Sequence, residues 1–125
     1  MVKDLKLFTE KIMNIQIIGT KKCNGTKKAQ RFFKERRINF HFKDLAEKGL
    51  SKGELDNICR VYDSEELIDT NSKQYKKRGL EFMVFNLEDE LLTDPLLLKI
   101  PIVRNGNKVT LGVDEKIWGE WIEEQ

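Results

Sequence analysis

The sequence predicts a single α/β domain whose sheet mixes parallel and antiparallel strands. Two apolar runs flank an amphipathic helical stretch early in the chain, which is the pattern of two parallel strands joined by a helix. An Asn-Gly pair near the end joins two further strands, and such a tight hairpin makes them antiparallel. The chain has 125 residues, enough to bury the core of one domain without disulfides or metals.

The first three elements form a strand–helix–strand unit. Residues 14–19 (NIQIIG) read as a short buried strand that stops at a glycine. After a loop, residues 26–37 are expected to form a helix, because their apolar side chains recur at i, i+3 and i+4 while lysines and arginines occupy the other face. Residues 38–42 (INFHF) alternate with period two, which predicts the second strand.

The middle of the chain is predicted to be helical. Ser51 opens a helix because Glu54, three residues later, completes a capping box. Its buried stripe is expected to contain Cys59, for which the role of a small core residue is favoured over a reactive one. Residues 63–94 look helical but irregular, with a polar stretch and an acidic segment.

A hairpin and a last helix complete the prediction. Residues 100–104 and 108–111 are expected to pair around a type I′ turn at Asn105-Gly106. Asp114 is positioned to cap the final helix, whose two tryptophans would cover the sheet.

This order of elements is typical of a thioredoxin-like core of the glutaredoxin type, with a mixed four-stranded sheet and a helical insertion at about residues 51–92. Ferredoxin-like and flavodoxin-like folds are the competitors, but a flavodoxin-like fold would require a further parallel strand and helix in place of the hairpin. We expect residues 14–125 to form the domain and residues 1–13 to be an N-terminal extension.

Composition narrows the classes of function. The chain is 39% hydrophobic and 35% charged, as expected of a soluble protein, and it has neither an apolar run of membrane-spanning length nor the pattern of a secretory signal. We therefore expect a cytoplasmic protein with reduced thiols. Two cysteines and one histidine are too few for a structural zinc site, and no bound cofactor is expected.

Charge is unevenly distributed. Residues 1–60 carry 15 Lys and Arg against 7 Asp and Glu, whereas residues 61–125 carry 8 against 14. Such asymmetry is compatible with anion or nucleic-acid binding, and equally with solvated helix faces that differ in sign. Because the aromatic residues fall at core spacing, direct nucleic-acid binding is not expected.

Cys23 is the candidate nucleophile. It precedes the first helix, and free N–H groups and the partial positive charge of a helix N-terminus stabilise a thiolate. The alternative is an inert loop residue. A Cys-x-x-Cys pair is absent, since Thr26 stands at the second position, so a single-thiol mechanism with an external thiol such as glutathione or a glutaredoxin is expected. The candidate anion-binding residues are Lys22, Asn24, Lys27, Lys28 and Lys99.

His41 and Pro101 are two further candidates for a functional role. His41 lies on the second predicted strand without a second histidine, cysteine or acid in register, so a half-exposed polar role is expected. Pro101 opens a strand, and in thioredoxin-like proteins the proline that faces the reactive cysteine is cis. We therefore predict a cis Ile100–Pro101 bond, with Ile100 and Pro101 as the place where a thiol partner docks.

Several segments resemble the arsenate reductase-like (ArsC/Spx) family of bacteria. The similarity runs from about residue 14 to residue 122 and is strongest in residues 22–29 (KCNGTKKA), 94–103 (DPLLLKIPIV) and 111–115 (LGVDE). The resemblance implies a thioredoxin core with a helical insertion. It implies Cys23 as nucleophile and Pro101 as the cis proline.

The chain departs from the arsenate-reducing members, which hold the oxyanion with arginines. The residue before the proline is Ile100, and neither residues 67–70 nor residues 111–114 contain an arginine. Isoleucine and lysine do not replace a bidentate guanidinium. The chain therefore resembles a branch without the arsenate-binding arginines, and arsenate is not the expected substrate.

Three functions remain open from the sequence. The first is a single-thiol oxidoreductase that uses Cys23. The second is a regulator of the Spx kind that binds RNA polymerase or another protein. The third is a family member that has lost activity.

Overall fold

The computed structural model describes residues 13–124, so the predicted N-terminal extension lies outside the described residues except for Met13. The four strands are β1 (Ile15–Gly19), β2 (Phe40–Asp44), β3 (Ile102–Asn105) and β4 (Lys108–Leu111). The α-helices are α1 (Asn24–Glu35), α2 (Lys52–Ile58), α3 (Ser64–Leu67), α4 (Lys73–Lys77), α5 (Leu87–Thr93) and α6 (Glu115–Glu123). Two short 3-10 helices, Leu80–Phe82 and Pro95–Leu97, lie within the helical middle of the chain.

The sheet has the predicted mixed topology. Its strand order is β2-β1-β3-β4, with β1 parallel to β2 and the other pairs antiparallel. The helical segment between β2 and β3 is the insertion predicted at about residues 51–92, and it extends to Leu97. The fold is therefore the thioredoxin-like α/β arrangement.

One face of the sheet is covered by α1 and α6. Phe32 of α1 packs edge to face against Trp118, with ring centroids 5.3 Å apart. Phe33 packs against the same indole at a tilted angle, with centroids 5.5 Å apart. The Trp118 indole N–H donates a 2.7 Å hydrogen bond to the Thr110 hydroxyl, which satisfies the polar atoms of both buried side chains. The spacing of the apolar residues therefore predicted correctly which faces of these two helices are buried.

The other face of the sheet is covered by the insertion. Ile18 and Ile102 join a cluster of buried leucines and isoleucines contributed by residues 45–98. An isolated antiparallel bridge between Ile68 and Leu98 ties the insertion to the segment before β3, reinforced by the Lys99 N–H, which donates to the Leu67 carbonyl at 2.7 Å. This tie fixes the path of the chain immediately before Pro101.

Several element boundaries differ from the sequence prediction, and two of them have an identifiable cause. Helix α1 begins at Asn24, two residues early, because packing of the next residue against Pro101 outweighs the poor helix propensity of Asn and Gly. Strand β2 begins at Phe40, because Arg37 adopts a left-handed conformation (φ 59°) that ends the helix and delays the strand. The predicted Ser51–Glu54 capping box and the Asp114 cap are present.

The hairpin turn is also shifted by one residue. Asn105 pairs with Lys108, so the central residues are Gly106 and Asn107 and not the predicted Asn105-Gly106. Gly106 has a φ of 62°, whereas Asn107 is not in the positive region. That pattern is the one of a type II′ turn, in which only the first central residue needs positive φ, so the predicted type I′ turn was wrong.

Candidate functional site

Strand register brings Cys23 and Pro101 to one edge of the sheet. Strand β1 ends at Gly19, and the chain then turns toward Cys23. Ile18 pairs with Ile102 in the antiparallel β1–β3 ladder, so Pro101 reaches the sheet where β1 leaves it. The Ile100–Pro101 peptide bond is cis, as predicted.

Cys23 is the N-cap residue of α1. Its φ and ψ of −74° and 122° are extended, its carbonyl accepts from the Lys27 N–H at 3.0 Å, and its own N–H donates to the Thr20 carbonyl at 3.2 Å. The side chain is half-buried and makes no capping hydrogen bond. Because the first N–H groups of a helix lack intrahelical acceptors, the N-cap position places Cys23 at the positive end of the helix dipole.

Gly25 allows the start of α1 to pack directly against the proline. A Cβ at Gly25 would lie 2.9 Å from the Pro101 Cδ and 3.3 Å from the Val113 Cγ2, both closer than ordinary contact. Pro101 is buried, whereas 44% of Val113 is exposed. Cys23, Pro101 and the apolar Val113 therefore share one rim at the N-terminus of α1.

Thr26 fastens the first turn of α1 to the end of β1. Its side chain is fully buried against Gly19, where an added Cβ would lie 2.1 Å from the Thr26 Oγ1. The Thr26 hydroxyl has no hydrogen-bond partner among residues 13–124. It is a buried donor without an acceptor, in the turn that follows the sulfur.

The predicted cationic residues are exposed around this helix start. Lys22, Lys27 and Lys28 are exposed, as is Asn24, and the first turn of α1 contains no acidic residue. The buried Asp44 carboxylate at the end of β2 lies 4.0 Å from Lys21. With Lys21, four exposed lysines therefore lie within five residues of Cys23 in the sequence.

Lys99 and Ile100 approach the site from the insertion. Lys99 is exposed, while its backbone N–H is used in the tie to Leu67 described above. Among residues 13–124, the N–H and C=O of Ile100 make no hydrogen bond to another backbone group. These two groups are free to pair with an extended segment of a partner.

One arginine of the insertion, Arg78, is held in ion pairs away from Cys23. Arg78 contacts the Glu90 carboxylate at 2.7 Å and the Asp94 carboxylate at 2.9 Å, which neutralises its guanidinium between two acids. These contacts raise the pKa of Arg78 further. Arg78 is therefore a structural residue of the insertion and does not supply an oxyanion ligand.

The second cysteine is chemically different from Cys23. Cys59 is half-buried against the insertion core, and its sulfur lies 3.8 Å from the Ser64 hydroxyl. Burial raises the pKa of the Cys59 thiol, and neighbouring acids, Glu88 foremost, act in the same direction. This environment disfavours the thiolate, in agreement with the structural role expected for Cys59.

Two wider findings concern the described residues as a whole. Within residues 13–124 no three His, Cys, Asp or Glu side chains are grouped so that they could hold a metal ion. No helix in that part of the chain combines the length and apolarity needed to cross a lipid bilayer. His41 is exposed on β2, at the end of the sheet opposite Cys23.

Sequence reasoning missed the roles of Gly25, Thr26 and Val113. A signal for Gly25 was available, since glycine within the first turn of a helix often marks a close approach of backbone to another group. For Thr26 the sequence shows only that it stands where a second cysteine would complete a Cys-x-x-Cys pair, and this does not predict its packing against Gly19. Val113 gave no signal of its own, because its contact with the helix start depends on the turn that follows β4.

Comparison with known proteins adds the family context. The model of the ArsC family matches residues 18–121. A curated relative, the global transcriptional regulator Spx 2 of Oceanobacillus iheyensis, is 32% identical over 108 residues, which cover 82% of this chain and 79% of the relative. The uncharacterized protein YusI of Bacillus subtilis is 27% identical over 110 residues, covering 82% of this chain and 93% of that protein.

Solved structures agree on the fold. An arsenate reductase from Vibrio cholerae superposes with a TM-score of 0.73 at 18% identity, covering 86% of this chain and 97% of the other. The YffB (PA3664) protein superposes with a TM-score of 0.74 at 17% identity, covering 85% of this chain and 96% of the other.

Proposed function

Because this chain belongs to the ArsC family, we propose that it is a single-thiol oxidoreductase whose nucleophile is the Cys23 thiolate. The observation that carries the proposal is the position of Cys23 at the N-cap of α1, half-exposed, in the turn that packs against Pro101. Unsatisfied helix N–H groups and the surrounding lysines favour a negative charge there.

The proposed reaction is a pair of thiol–disulfide exchanges. The Cys23 thiolate attacks one sulfur of an oxidised disulfide, a mixed disulfide forms at Cys23, and the other sulfur leaves as a thiolate that takes a proton from water. A second, external thiolate such as glutathione, or a thiol of a glutaredoxin-like protein, then attacks the mixed disulfide and releases Cys23. These two steps regenerate Cys23 and leave the external thiol joined to one half of the substrate. A further external thiol then attacks this new disulfide, so two external thiols together supply the two electrons that reduce the substrate disulfide, and no bound cofactor takes part.

The thiol partner is proposed to dock on the rim that Cys23 shares with Pro101 and Val113. The free backbone groups of Ile100 suit an extended peptide segment, which would place its sulfur close to Cys23. Lys22, Asn24, Lys27 and Lys28, with Lys99 from the other side, would attract the carboxylates of glutathione. A reducing compartment such as the cytoplasm supplies these external thiols.

Arsenate is not part of the proposal. Ile100 stands directly before the proline, and Arg78, one of two arginines in the insertion, is already paired with two carboxylates. Lysines attract an oxyanion but do not give the bidentate geometry of arginine.

The test follows glutathionylation and turnover in the same samples. The full chain is incubated with glutathione disulfide, and intact-mass and peptide spectra locate the adduct, with Cys23→Ser as the inactive variant and Cys59→Ser as the matched control. We expect an adduct on Cys23, its removal by reduced glutathione, and turnover of a small disulfide that Cys23→Ser abolishes and Cys59→Ser retains. An adduct confined to Cys59, or turnover that survives Cys23→Ser, contradicts the proposal.

A second candidate function is supported by the Spx relatives and by one surface. Phe82, Met83 and Val84 are consecutive; Met83 is about half exposed, and Phe82 and Val84 are almost completely exposed. A run of exposed apolar residues is typical of a protein-binding surface, and by resemblance to the Spx regulators RNA polymerase is the partner to test. Co-purification with polymerase subunits that is unaffected by Cys23→Ser and lost in Phe82→Asp favours the regulator over the enzyme.

A further inference from the structure

A polar pocket lies at the end of the sheet opposite Cys23. Strand register aligns His41, Gln16 and Arg104 in one row across β2, β1 and β3, near the start of β1, whereas Cys23 follows its end. Together with asparagines 57 and 107 these side chains line a cavity of about 390 Å³. That volume falls within the range of small-molecule sites.

Arg104 is held in this pocket without a carboxylate. Its Nη1 donates to the Gln16 Oε1 at 2.5 Å and its Nε donates to the Asn57 Oδ1 at 3.1 Å. The residue is half-buried, and it forms no ion pair with any residue in the range 13–124. Two neutral amides orient the guanidinium, and no carboxylate within residues 13–124 balances its positive charge, which is unfavourable for a half-buried group.

The acid closest to this network is already neutralised. Glu54 accepts from the Lys43 ammonium at 2.9 Å, from the Gln16 amide at 3.0 Å and from the Ser51 N–H at 2.9 Å. Burial alone would raise the pKa of Glu54, but these three donors lower it to about 2, so the carboxylate is ionised and fully used. Gln16 is thereby fixed with its amino group toward Glu54 and its oxygen toward Arg104.

The remaining groups of the pocket are mainly donors. The Asn57 amino group donates to the Asn107 oxygen at 3.5 Å, and within residues 13–124 neither the Asn107 amino group nor the Arg104 Nη2 makes a side-chain hydrogen bond or ion pair. A planar guanidinium with amide donors beside it matches two oxygens of one anionic group. We infer that this pocket binds a small oxyanion, a phosphate or carboxylate group of a metabolite, paired with Arg104. The site is separate from Cys23 and does not depend on the redox proposal.

The test titrates the full chain with inorganic phosphate and, separately, with citrate, against sodium chloride at equal ionic strength. Amide and arginine side-chain resonances are followed by NMR. We expect saturable shifts centred on Arg104, Gln16 and Asn57, and the responding anion identifies the source of the oxyanion group. Arg104→Gln is expected to weaken binding at least about tenfold, as loss of a charge-assisted pair predicts.

Two variants keep the result decisive. Arg31→Gln removes the same charge from the exposed side of α1, on the other face of the sheet, and should leave the affinity unchanged. Arg104→Lys keeps the charge but loses the planar fork, so it should also weaken binding and serves where Arg104→Gln fails to fold. Shifts that do not saturate, that occur only around Cys23, or that are equal in Arg104→Lys and the wild type overturn the inference.

Discussion

Replacing Gly19 by alanine tests how the candidate site is held to the sheet. The added Cβ would lie 2.1 Å from the Thr26 Oγ1 and 2.8 Å from its Cγ2, whereas ordinary contact begins near 3.4 Å. Gly19 does not have positive φ, so its backbone accepts alanine and the effect is one of packing. Thr26 is fully buried and β-branched, and it cannot rotate away without meeting its own helix.

The expected cost follows from overpacking. Methyl groups forced into a filled core typically cost about 1–3 kcal/mol, and an overlap of more than 1 Å with a stiff side chain belongs at the upper end. We therefore expect Gly19→Ala to lower the free energy of unfolding by about 3 kcal/mol. For a domain of this size that corresponds to a fall in Tm of about 10 °C.

Urea unfolding followed by circular dichroism measures the effect, and a double-mutant cycle assigns it. Thr26→Ala removes both offending atoms, so the Gly19→Ala/Thr26→Ala protein should recover most of the loss, with a coupling energy of about 2 kcal/mol. Gly119→Ala is the control, because Gly119 lies in α6 with nothing within 4 Å of an added Cβ and should gain up to about 1 kcal/mol. A Gly19→Ala protein as stable as the wild type, or additive variants, would refute the packing argument.

Three further predictions concern the sulfur, the polar network and the helix start. At pH 7 iodoacetamide should label Cys23 at least about tenfold faster than Cys59, because the Cys59 thiol has a raised pKa. Equal labelling rates, measured by mass spectrometry, would contradict Cys23 as the reactive thiol. The pKa of Glu54 is lowered to about 2, so its contribution is present above pH 4.5 and lost as the pH falls toward 2. Glu54→Gln should therefore cost about 2 kcal/mol at pH 7 and show a smaller loss of stability than the wild type between pH 4.5 and 2 in urea unfolding. Gly25→Ala would place a Cβ 2.9 Å from the Pro101 ring. We expect kcat/KM for a disulfide substrate to fall more than tenfold and the free energy of unfolding to fall by about 1–2 kcal/mol. Unchanged kinetics would show that the contact between the start of α1 and Pro101 does not affect the reaction.

Local signals in the sequence were sufficient for most elements. Apolar spacing, the Ser51 capping box and the Asp114 cap each act within a few residues, so they could be read directly. Predicted helix and strand boundaries were wrong by a few residues where the true boundary depends on a tertiary contact. The start of α1 was placed too late because Pro101, which packs on its first turn, is more than seventy residues away in the sequence.

Periodicity and capping residues are encoded by near neighbours, and they were sufficient to predict the α/β class, the mixed sheet with its insertion, and Cys23 as the thiol at a helix start. The surroundings of that thiol and the position of the second polar pocket depend on contacts between distant segments. The contact of Gly25 with Pro101 and Val113 and the row of His41, Gln16 and Arg104 are products of strand register. Register depends on how distant segments pack together, and no local pattern in the chain specifies it.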